Sequence, residues 1–111
     1  MSSTRWITEM GMGVDVHGRD YTKAGRRAVS DALRHSSLHF FTATDRSRDD
    51  MHIEVIVGCA QPASVDLEAI AAEVPYGTVT VRAEVGGLDV PGVSGSDGVT
   101  IANAAILVSF V

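Results

Sequence analysis

Cysteine is nearly absent: Cys59 is alone among 111 residues. No internal disulfide can brace the fold, and a reducing, cytoplasmic setting is expected. The first residues, MSSTRWITEM, contain no apolar run of signal-peptide length, which points the same way. Long apolar runs are missing as well. The longest, Ile101 to Val111, is interrupted by Asn103 and Ser109 and falls far short of the roughly 20 residues that cross a bilayer as a helix. No membrane partner is therefore expected. Basic residues are scarce beyond position 48, where nine acids face Arg82 alone, whereas the first 48 residues hold eight basic groups against five acids. With a net charge of −5 and a pI near 5.1, nucleic acid is excluded as an expected partner. Linkers, repeats and low-complexity tracts are lacking too, so residues 1–111 read as one domain.

What the chain has in excess is apolar surface. Hydrophobic residues make up 45% and the mean hydropathy is +0.14. Some of that surface needs cover from another subunit, and a homo-oligomer, trimer or higher, is expected.

Alternation of residue type predicts a first strand from Trp6 to His17. Trp6, Thr8, Met10, Met12, Val14 and Val16 form its core face, while Ile7, Glu9, Gly11, Gly13, Asp15 and His17 form the other. A helix follows from Tyr21 to His35 with Asp20 as N-cap. Tyr21, Ala24, Gly25, Ala28, Val29, Ala32 and Leu33 sweep one side of it, and Arg19, Lys23, Arg26, Arg27, Ser30 and Arg34 the other. The segment from Ser36 to Asp50 is ambiguous between a short strand and a polar loop. Met51 to Val57 alternates as a strand, and a second helix starts near Ser64 with Leu67, Ile70, Ala71 and Val74 as its buried stripe, ended by Pro75 and Gly77. Thr78 to Val85 is a third strand, LDVPGVSGSDG a glycine-rich loop, and VTIANAAILVSFV, apolar on both faces, a central buried strand. The order β-α-β-α-β-β predicts an α-β sandwich: one mixed four-stranded sheet with two helices on one face. The uncovered face again calls for a second subunit. This order resembles the small trimers of the Bacillus chorismate mutase type, and the resemblance implies a site between subunits.

The stretch GMGVDVHG, Gly11 to Gly18, carries the candidate chemistry. Gly11 and Gly13 weaken a strand, and glycines there mark a close approach of backbone or ligand; they are expected to leave a bare groove for a ligand. Asp15 and His17 project to the same side, about 6 to 7 Å apart at the α-carbons. They suit a divalent metal, zinc or similar, or a base with its orienting partner. A third metal ligand could come from His35, His39, His52 or Glu9, and no spacing selects among them. The bland reading stands beside this one: Asp15 accepting backbone hydrogen bonds in the strand-to-helix turn, and His17 as a turn residue. Gly18 lets the chain turn into the helix, where Arg19 and Lys23 and the free N–H groups suit a small anionic ligand. Asn103 within an apolar strand either ties a loop or reaches into a pocket.

GMGVDVHG resembles the GxGxDxHG signature of a small conserved-hypothetical family of bacteria and plants, named after a Listeria reading frame. ITEMGMGVDVHGRDYTKAGRRAVSDAL, VDLEAIAAEVPYG, GGLDVPG and IANAAILV extend the likeness over nearly the whole chain. HSSLHFFTATDRSRDD departs from it. The resemblance implies kinship and no activity. A shorter likeness, GxDxH alone, is to the first strand of methylerythritol cyclodiphosphate synthase; it implies Asp15 and His17 as metal ligands at a subunit interface.

Other motifs fail on context. GVSGSDG lacks a Lys-Ser/Thr continuation and precedes a strand, so it is no P-loop, and GMGVDVHG lacks the third glycine of a dinucleotide fingerprint. Cys59 has no cationic neighbour in sequence and reads as a buried thiol. The expectation is a small-molecule enzyme acting on an anionic metabolite at an intersubunit pocket, metal-assisted or acid/base, with Asp15 and His17 catalytic and Gly11, Gly13, Gly18, Arg19, Lys23 and Asn103 binding ligand. The alternative is a non-catalytic small-ligand-binding or structural oligomeric module.

Overall fold

A computed structural model describes residues 4–34, 50–93 and 98–110. It contains β1 (Thr4–Asp15), α1 (Tyr21–Arg34), β2 (His52–Cys59), a 3-10 turn (Pro62–Ser64), α2 (Leu67–Ala71), β3 (Thr78–Val85), β4 (Leu88–Val90) and β5 (Val99–Phe110). The strands form one mixed sheet in the order β1-β5-β2-β3, with β4 also paired to β5. β2 and β3 are parallel and the other pairs antiparallel. The two helices cover one face, as the element order predicts. His35, His39 and the ambiguous segment from Ser36 lie outside the described residues.

β5 is central because its helix-side residues, Ala102, Ala104, Ile106, Val108 and Phe110, are all buried. They meet Val55 and Val57 of β2 and Val29 and Ile70 of the helices in one core. The sheet has a fifth strand that the sequence reading left in the glycine-rich loop. Leu88, Asp89 and Val90 pair with Ile101, Thr100 and Val99. Three residues followed by Pro91 give no alternation long enough to read, and Leu88 and Val90 stay exposed. The second helix is shorter than expected. Val65 is extended (φ −86°, ψ 132°), so Pro62–Ser64 forms a separate turn and Asp66 caps α2, accepting from the N–H groups of Glu68 and Ala69. Ile70 and Val74 are buried as expected, but Leu67 is not.

The largest correction concerns β1. Its helix-facing residues are Ile7, Glu9, Gly11, Gly13 and Asp15, and the face expected to be core is open: Met10 is 71% exposed and Met12 54%. Over the two glycines α1 brings the backbone of Ala24, Ala28 and Ala32, with the Arg27 Cβ beside Gly13. A Cβ on Gly11 would overlap the Ala28 carbonyl oxygen and the Ala32 nitrogen; one on Gly13 would overlap the Ala24 carbonyl oxygen and the Ala28 nitrogen. Helix backbone thus rests on strand backbone. The spacings match, since four helical residues rise about 6 Å and two strand residues about 6.6 Å. The groove expected over Gly11 and Gly13 is filled by α1.

Asn103 lines a depression on the sheet. It lies exposed on the open face of β5, opposite Met12 on β1 and Gly58 on β2. Cys59 is fully buried, and burial pushes its thiol pKa up. Among the described residues, no helix is long and apolar enough to cross a membrane.

Candidate functional site

The turn from β1 into α1 is organised around Asp15, whose side chain is buried beneath it. Its Oδ2 accepts the Asp20 N–H at 2.8 Å. Asp20 in turn accepts the Lys23 N–H at 3.0 Å, satisfying one of the orphan donors of the first helical turn. Lys23 Nζ lies 3.5 Å and Arg27 Nη1 4.0 Å from Asp15 Oδ1. The Asp20 N–H chiefly, then Lys23 and Arg27, hold the Asp15 carboxyl below its ordinary pKa against the opposing effect of burial. Asp15 is therefore a fixed anion that fastens the strand to the helix.

His17 is exposed on the same turn and has no hydrogen-bond partner among the described residues. Gly18 follows at φ +76° with open space beside it. Arg19 sits in the left-handed region at φ +47° and sends its guanidinium away from Asp15, to the Val90 carbonyl at 3.1 Å, where it lies against the backbone of Gly98. Its Nε is buried without a partner among the described residues. The structure thus brings Asp15 and Lys23 together, leaves His17 apart, and sends Arg19 to β4. Of the other candidate ligands for a metal, Glu9 sits on the helix side of β1 beside Leu33 and Tyr76, and His52 on the open face of β2. Among the described residues, no three His, Cys, Asp or Glu side chains come together as a metal site would need.

Sequence reasoning missed a second cluster. Asp89 on β4 accepts from Tyr21 Oη and from Thr100 Oγ1, both at 2.5 Å. Thr100 is wholly buried. These donors, Thr100 first and Tyr21 second, hold the Asp89 pKa down, and the bond to Asp89 pushes the Tyr21 phenol up. The partners lie 68 and 11 residues apart, so no local spacing could announce them. Thr100→Val is expected to cost about 2 kcal/mol at pH 7, because a carboxylate loses a donor that water cannot easily replace. Asp89 has a lowered pKa when folded, so its contribution is present above the ordinary carboxylate range and is lost as pH falls through the folded value. The deficit measured by urea unfolding should shrink below about pH 4.

Two surface features complete the picture. On the open face, a depression of about 360 Å3 is lined by Met10, Ile56, Gly58, Asn103 and Ala105 among others. On the helix side, Lys23, Arg26, Arg27, Ser30 and Glu73 line a groove of about 290 Å3.

A family model described as "Conserved hypothetical protein (Lin0512_fam)" matches residues 5–108. No curated protein matches the chain. Among solved structures, an FtsZ-like protein of unknown function from Nostoc punctiforme is 36% identical over 99% of this chain and 98% of its own, with a TM-score of 0.89.

Proposed function

Starting from a chain that belongs to the Lin0512 family of conserved hypothetical proteins, we propose that it works as a non-catalytic, self-assembling module whose open sheet face docks on a second copy. The observation that carries this is the exposure of Met10 and Met12 on a face that, among the described residues, no helix covers. Ile56, Ile101, Ala105 and Leu107, all half-buried, continue the apolar surface across β2 and β5. Methionine is flexible and suited to irregular contacts, and a depression floored by Gly58, Asn103 and Ala105 lies beside the two that protrude. Knob and hole on one face allow two copies to exchange them about a two-fold axis.

Size supports the same reading. Strands of 12 residues in β1 and β5 and 8 in β2 and β3 across three inter-strand gaps present roughly 450 Å2 of flat projected surface, somewhat over half of the ~800 Å2 per partner that stable interfaces bury. Docking by the β1 edge is disfavoured. The Met12 N–H there is taken by Asp31 Oδ2 at 3.0 Å and the Val14 carbonyl by Arg27 Nη1 at 2.5 Å, so another strand would have to displace these two contacts. Acid/base or metal-assisted chemistry at Asp15 and His17, the other expectation, draws less support because Asp15 is buried and committed to the turn.

Sedimentation across about 1 to 100 μM tests the proposal. The wild type is expected as a dimer or larger. Met10→Glu/Met12→Glu, which adds charge to a face already bearing Glu54 and Glu84, should be a folded monomer. A wild type that stays monomeric throughout would overturn it.

A further inference from the structure

The basic side of α1 carries an inference independent of the sheet face. Lys23, Arg26, Arg27 and Ser30 fall at i, i+3, i+4 and i+7, so they share one face of the helix. The three cations, each about half-exposed, converge with Ser30 on the 290 Å3 groove. Their acids stand at the walls. Glu73 takes Arg26 Nε at 2.7 Å. The buried Asp15 is shared by Lys23 and Arg27 at 3.5 and 4.0 Å, longer than a charged hydrogen bond, and spends its other oxygen on Asp20. Three positive charges face two negative ones in a chain whose net charge is −5.

Hydrogen-bond donors exceed the acceptors supplied. Each guanidinium has five N–H groups and the ammonium three, yet Glu73 is the acidic side chain lining the groove among the described residues, and Asp15 and the Val14 carbonyl accept from behind it. The surplus donors and the Ser30 hydroxyl line the groove along one face of α1. We propose that this groove binds a small oxyanion carrying two or more charges, a phosphate or phosphate ester, held by the Arg26 and Arg27 guanidinium groups with Lys23 and Ser30. Arginine forks match the oxygens of such an anion in pairs. A singly charged carboxylate would gain too little over water at so open a site.

Glu73 gives the test its discriminating sign, because it competes with the anion for Arg26. Calorimetric or NMR titration at low salt, with inorganic phosphate as the probe and acetate as the singly charged control, is expected to show saturable phosphate binding. Arg26→Gln should weaken that binding about tenfold and Glu73→Gln tighten it several-fold. Both substitutions lie on the surface and leave the Asp15 turn intact. If Arg26 and Glu73 form only a structural ion pair, both variants would instead lose stability together with no opposed change in affinity, and the proposal fails. It fails equally if phosphate does not bind by about 20 mM or binds no better than acetate. The oligomeric state enters none of these readouts, so this result stands or falls apart from that of the sheet face.

Discussion

Gly13→Val is expected to leave little folded protein at room temperature, and Gly13→Ala to lower the unfolding free energy by about 3 kcal/mol. Overpacking a core typically costs 1–3 kcal/mol when side chains can move aside. Here the atoms in the way are the Ala24 carbonyl oxygen and the Ala28 nitrogen, both held in the hydrogen-bond ladder of α1. The helix must lift as a body, and Ala28, Val29 and Ala32 lift with it from the core. A domain stable by ~5–15 kcal/mol does not absorb that loss easily. Gly11→Ala meets the Ala28 carbonyl oxygen and the Ala32 nitrogen and is expected to cost as much. Gly18→Ala separates sterics from conformation: open space lies beside it, but its φ of +76° is strained for alanine, which predicts a loss nearer 1–2 kcal/mol. Urea midpoints of the three alanine variants test this. Equal, small losses at all three would mean that α1 does not rest on the strand backbone.

The same glycines show what the sequence could convey. Element order and type came through because the strands alternate and α1 is strongly two-sided; those signals are local. The central place of β5 followed from its apolar run, and the placing of both helices on one face from the element order. The orientation of β1 did not come through. A hydropathy pattern scores Met10 and Met12 as core and Gly11 and Gly13 as blank, whereas the helix above them presents alanines and demands the absence of side chains. The signal was in two places at once, small residues every second position in the strand and every fourth in the helix. For the candidate site, the Asp15 turn was legible only in its bland form, as an acceptor of backbone N–H groups. Asp89, Tyr21 and Thr100 were out of reach because β4 is too short to pattern, so nothing placed Asp89 opposite Thr100.

Asp15→Ala is expected to cost about 3–4 kcal/mol, and Asp15→Asn about 2, whereas His17→Ala should stay within about 0.5 kcal/mol. Alanine leaves the Asp20 N–H without its acceptor under a buried turn and opens a void. Asparagine can still accept that bond but no longer attracts Lys23 and Arg27. Those cations reach water when released, which keeps the cost below that of a fully stranded charge. The folded pKa of Asp15 lies below its ordinary value of 3.8, so its stabilisation is complete above the ordinary range and drains away as pH falls through the folded value. Wild type and Asp15→Asn should thus differ most near neutrality and converge in strong acid, with His17→Ala as the control for the turn at neutral pH. Urea unfolding between about pH 2 and 8 reads all three curves. Were Asp15→Asn as stable as the wild type at pH 7, the carboxylate would not be serving the fold. A buried anion beside two cations would then need another reason to be charged, and the turn would return as the place to look for chemistry.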